Sequence, residues 1–154
     1  MNKKQEYILR FVFIIYLAVL FKVILFKYPL VVILSTVKQT DFSTLKIRLL
    51  HSNIIPFKTI CYYVINWSKS GISRINIIAN IAAFIPLGFL LLRLLDKGNK
   101  FKKIILISLI LSLLFEIIQL ITGIGNFDID DVILNVIGSM VGVIVYNLFE
   151  KVKT

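Results

Sequence analysis

The sequence predicts an all-α integral membrane protein with about four transmembrane helices and an interfacial, amphipathic segment between the first and second. Three observations carry this. Of the 154 residues, 58% are hydrophobic, too many for a soluble domain of this size to cover with polar surface. Several apolar runs approach the roughly 20 residues needed to cross a bilayer. Lysines and arginines gather at the ends of those runs rather than along a single face. The whole chain, 1–154, reads as a single membrane domain.

The formal charge of +10 would suggest nucleic acid in a soluble protein. Here its distribution assigns it to topology and lipid headgroups, and no nucleic-acid partner is expected. One cysteine, Cys61, excludes an internal disulfide, and one histidine, His51, excludes the histidine pairs of common zinc sites.

The first span is expected over about 7–26. It follows Lys3, Lys4 and Arg10, is long for a signal-peptide core, and leads into bulky Phe26-Lys27-Tyr28 rather than a small-residue cleavage site. Pro29 ends or bends it. Leu30–Val37 is apolar but too short to cross alone. The mixed stretch from Thr36 to Arg74 follows, in which Leu45, Leu49 and Leu50 beside Lys46 and Arg48 suit an amphipathic turn at the interface. Tyr62, Tyr63 and Trp67 fit interface aromatics.

The second span is expected over about 75–95, with Pro86 and Gly88 inside it, as membrane helices tolerate. A compact basic loop follows, containing Arg93, Lys97, Lys100, Lys102 and Lys103. The third span is expected over about 104–121 and the fourth over about 132–149. Between them Thr122–Asp131 carries three aspartates and no lysine or arginine. The positive-inside rule then puts both termini in the cytoplasm of a multi-pass plasma-membrane protein and the acidic turn outside. The basic 36–74 stretch conflicts with that orientation unless it lies in the interface.

Helical phase gathers the polar residues. Steps of four, seven and eleven return to one face, so Asp131, Asn135, Gly138 and Gly142 share a wedge of the fourth span. Ser108, Ser112, Glu116 and Gln119 share a side of the third, and Asn76, Asn80 and Ala83 a side of the second. Polar stripes of this kind face one another in a bundle. Depth adds that Asn80, Glu116, Gln119 and Asn135 lie beneath the turn bearing Asp128, Asp130 and Asp131, which describes an outward-opening acidic, amide-lined pocket. The plainer readings are interhelical hydrogen bonding for Asn80 and Asn135 and close packing for Gly138 and Gly142. Pro86 and Gly88 then mark a kink, and Asp131 caps the fourth helix. Glu116 is the main functional candidate, because a carboxyl inside an apolar run is costly to keep.

These residues resemble the VanZ-like family of small bacterial membrane proteins. The resemblance is carried by Asn53-x-x-Pro56-Phe57, Asn80-x-x-x-Phe84-x-Pro86-Leu87-Gly88-Phe89, Glu116-x-x-Gln119, Phe127-Asp128-x-Asp130-Asp131 and Asn135-x-x-Gly138-x-x-x-Gly142, from about residue 53 to 142. It implies a protein of the cell envelope, its named member being associated with resistance to the glycopeptide teicoplanin, and membrane lipid, a lipid-linked envelope precursor or a lipoglycopeptide as partner. Many members carry an arginine shortly before the Phe-Asp segment. Gly123–Asn126 has none, leaving Arg74 or Lys58 to substitute. An enzyme acting on a lipid-linked substrate, with Glu116 as acid or base and a divalent cation on the aspartates, is a second reading. No nucleophile–base pair, metal-binding histidine or phosphate loop supports it, and no cofactor is expected. A third is an oligomer-forming structural or transporter subunit, with Gly138 and Gly142 packing between copies.

Overall fold

The computed structural model describes residues 2–25, 29–68, 71–95 and 98–152, with the backbone alone for 72 and 73. Seven helices are named among the described residues: α1 (Lys3–Leu25), α2 (Leu30–Lys38), α3 (Phe42–His51), α4 (Lys58–Ile65), α5 (Gly71–Leu94), α6 (Lys100–Thr122) and α7 (Ile129–Val152). Four of them, α1, α5, α6 and α7, are long and apolar enough to cross a bilayer. All four expected spans correspond to them, each helix starting three or four residues earlier than expected. The expected end of the first span at Phe26 lies outside the described residues.

The reasons are local. Each long helix is a predominantly apolar run, and Pro86 sits inside α5 without ending it, as lipid-embedded helices allow. Pro29 stands immediately before α2, where its fixed φ suits a helix start. Asp41 caps α3 by accepting from Thr44 N at 2.8 Å while the Thr44 side chain answers its backbone N–H. These hydrogen bonds hold the exposed Asp41 carboxyl below its ordinary pKa. The amphipathic turn expected at Leu45–Leu50 is therefore a full helix, with Phe42, Ile47, Leu49 and Leu50 exposed.

The bundle is organised on the α5–α7 seam, its most extensive helix contact. Glycines make that seam close: a Cβ on Gly138 would collide with the Ile81 carbonyl oxygen, one on Gly142 with that of Ile85, and one on Gly88 with that of Ser139. These glycines thus pack α7 and α5 of one chain together, not two copies as the oligomer reading required. α6 and α1 close the remaining sides. Leu20, Phe84, Leu87, Leu91, Ile104, Phe115 and Val143 form the buried apolar core, with Phe84 edge-on to Phe115. Outward-facing residues such as Ile14, Val19, Ile110, Leu114 and Ile144 stay exposed, the pattern of a bundle whose outer surface meets lipid. One end of the bundle collects the end of α1, the start of α5, the end of α6 and the start of α7. α3 packs on α6 at that end, and α4 on α5 and α7.

Candidate functional site

At that end the chain folds back on itself through the residues around Asn53 and Asp128. Asn53 N–H donates to Phe127 O (2.8 Å) and Ile129 N–H to Asn53 O (2.9 Å), an isolated parallel bridge. The Asn53 amide donates to Asp128 Oδ1 (2.8 Å) and Thr59 Oγ1 (3.0 Å), and Thr59 Oγ1 donates to Asp128 Oδ2 (2.7 Å). Phe57 adopts the left-handed conformation, φ 67°. That turn aims backbone N–H groups of Phe57, Thr59 and Ile60 at the Asp130 carboxylate, at 2.5, 2.6 and 3.0 Å. Asp130, wholly buried, thereby caps α4 from another part of the chain, where the positive end of the helix favours an anion.

Asp128 and Asp130 were expected in the pocket, but the structure shows them clasping the 53–60 segment. A cation would have to displace several N–H donors from them. Asp128 also accepts from Asp130 N–H at 2.9 Å, so it, not Asp131, caps α7. Among the described residues no group of three or more His, Cys, Asp or Glu suits a metal ion.

The other expected residues converge. Asn80, Glu116, Gln119, Asp131 and Asn135 line one cavity of about 260 Å³ with Asn76, Ala79, Ala83, Ile75, Val23 and Ile24. Asn80 Nδ2 donates to Asp131 Oδ1 at 2.6 Å. Glu116, 3% exposed, accepts from the Asp128 backbone N–H at 2.9 Å, which ties the cavity floor to the clasp. Gln119 donates to Ile24 O at 3.2 Å and so holds the end of α1 against α6. Asn135 donates to Ser112 Oγ at 2.8 Å. Its Oδ1 is buried with no hydrogen-bond partner among the described residues, which costs stability unless something occupies it. One turn deeper, Ser108 donates to Ser139 at 2.7 Å, which is interhelical bonding rather than cavity wall.

Two residues near this site were read from the sequence only as interface residues, not as part of it. Tyr63 on α4 accepts from Asn76 Nδ2 at 2.9 Å, and its pKa is raised, chiefly by burial and also by the charges of Asp131 and Asp128. Arg48, rather than Arg74 or Lys58, supplies the cation at the turn before Phe127. It packs on Gly123 and donates to Leu120 O (3.2 Å), Ile121 O (3.1 Å) and Thr40 Oγ1 (3.0 Å). Gly123, at φ 71°, gives α6 its left-handed end and leaves room for the guanidinium. The amphipathic pattern around Leu45–Leu50 placed Arg48 at the interface but could not give its carbonyl partners, 72 and 73 residues away.

Four helices long and apolar enough to cross a membrane, with a polar cavity among them at one end of the bundle, define a small helical membrane protein. The VanZ/LLP1 family model matches residues 13–150, and the chain belongs to that family. It is 45% identical over 76 residues to Protein VanZ of Enterococcus faecium, a match covering 49% of this chain and 47% of that protein. No solved structure matches significantly.

Proposed function

We propose that this chain is a cell-envelope protein of the bacterial plasma membrane that lowers susceptibility to glycopeptide or lipoglycopeptide antibiotics such as teicoplanin, by binding a ligand in its acidic, amide-lined cavity. Both termini are cytoplasmic in this reading, and the cavity opens on the outer face. The observation that carries it is the convergence of Asn80, Glu116, Gln119, Asp131 and Asn135 from three helices on one cavity, with a buried amide oxygen inside it lacking a partner. A bundle needing only glue would satisfy that oxygen internally. Family membership supports the resemblance, which implies both the envelope setting and the drug class. Binding, rather than catalysis, fits because Glu116 is held by the Asp128 N–H and the described cavity lining contains no serine, cysteine, threonine, lysine or histidine beside it.

Expression in a teicoplanin-sensitive host is expected to raise tolerance, and Glu116→Ala at unchanged protein level to abolish the rise. Glu116→Gln, which still accepts from Asp128 N–H, is expected to keep part of it. No shift in tolerance with the wild-type chain would sink the drug reading.

A further inference from the structure

The polar cavity does not end at its polar walls. Val23 and Ala83, which line it, also line a second, apolar crevice of about 230 Å³ along α1 and α5, with Tyr16, Val19, Leu20, Ala82 and Pro86. Pro86 has no N–H for the Ala82 carbonyl, so α5 lacks one ladder bond there, and Tyr16 Oη donates across the crevice to Ala83 O at 2.8 Å. Val19 and Ala82 are exposed on the side that meets lipid. A polar chamber near one face and an apolar slot running from it toward the bundle middle have the shape of an amphiphile.

We infer that the cavity and crevice together hold one amphiphile, entering sideways between α1 and α5, with an amine-bearing head in the cavity and an acyl chain in the crevice. This rests on the ligand-binding reading above and names the ligand's chemistry. Among the described residues the cavity wall holds two carboxylates, Glu116 and Asp131, several amide groups, and no lysine or arginine. The Asn135 Oδ1 that lacks a partner is an acceptor, and a head that donates hydrogen bonds satisfies it. Cations lie outside the wall: Lys22 and Arg74 are exposed, each one residue from a lining position, Val23 and Ile75. A zwitterionic head with its amine inward and its phosphate toward those cations matches both signs of charge; a head with phosphate alone would meet carboxylates. The amine of a membrane lipid and that of a lipidated drug share this chemistry.

The full chain, reconstituted in phosphatidylcholine vesicles, would be photolabelled with trace phosphatidylethanolamine or phosphatidylglycerol carrying the same diazirine-bearing acyl chain. One hydrogen bond to a charged group is worth about tenfold in affinity, so the amine lipid is expected to label the 16–23 and 82–86 peptides about tenfold more than its glycerol counterpart. Ala82→Trp fills the crevice from its exposed side and is expected to remove that labelling, while Asn135→Leu collapses the preference for the amine. Unlabelled teicoplanin competing away the crevice labelling would identify the drug as an occupant of the same site, and failure to compete would leave the lipid as its ligand. Equal labelling by both lipids, or labelling spread evenly over the outer faces of α6 and α7, overturns the inference. If that happens while Glu116→Ala still abolishes drug tolerance, only the amphiphile assignment falls. Amine-selective labelling without any effect on tolerance upholds it and removes the drug reading instead.

Discussion

Asp130 and Asp131 are neighbours in sequence and do opposite work. Asp130 is turned to three backbone N–H groups at the start of α4, whereas Asp131 faces the cavity and takes the Asn80 amide. Asp130→Ala would leave those N–H groups buried without an acceptor, at a cost on the order of 3 kcal/mol. The expected result is a clear fall in the melting temperature of the detergent-solubilised protein. Asp130→Asn retains one acceptor oxygen and is expected to fall less. Asp131→Asn should leave the melting temperature within a few degrees of wild type and act on ligand binding instead; equal destabilisation by the two substitutions would contradict the division of roles. Helical phase groups Asp131 with Asn135 in angle, and depth gathers the aspartates at one level. Neither could tell which carboxylate turns inward, because that is decided by Asn53 and Phe57, more than 70 residues upstream.

The long helices were legible because their signal is local: about 20 apolar residues bounded by charge admit few other folds in a bilayer. The short helices were not, apart from the amphipathic turn that became α3, since α4 is capped by a residue from another element. The α5–α7 seam lies between these cases. Small residues four apart on α7 announced a close approach, but not that its partner was α5 of the same chain. Backbone atoms sit where a Cβ would go at Gly138 and Gly142, so alanine at either position forces the helices apart. Each substitution is expected to cost about 2 kcal/mol or more, read as lower resistance to unfolding in mixed detergent. Because the seam is internal, neither should change the mass of the native particle. Gly71→Ala, with nothing near its Cβ position, serves as the neutral control. Arg48→Leu tests the other junction: losing its bonds to the last carbonyls of α6 is expected to loosen α3 from α6, seen as faster proteolysis between residues 38 and 52.

At the scale of the molecule, charge sets the two ends of the bundle against each other in deciding which faces out. Lys3, Lys4, Arg10, Arg93, Lys100, Lys102, Lys103 and Lys151 lie toward the end away from the cavity, but Lys22, Lys38, Lys46, Arg48, Lys58 and Arg74 lie at the cavity end. The fold weakens that opposition. Arg48 is spent on the carbonyls of α6. Lys46 sits on α3 beside exposed Phe42, Ile47, Leu49 and Leu50, a helix suited to lie among headgroups, where a cation meets lipid phosphate on either face. The cations at the other end sit close to the ends of crossing helices, where the positive-inside rule carries weight. The single cysteine makes the orientation measurable. Cys61 is exposed on α4 at the cavity end, so a membrane-impermeant maleimide should label it on intact cells. With Cys61 replaced by alanine, a cysteine at Asn99, in the turn before α6, should react only after the membrane is permeabilised. The reverse pattern would put the cavity on the cytoplasmic face, out of reach of an extracellular glycopeptide, and the drug reading would fall while the amine-lipid site, which needs only a membrane leaflet, would stand.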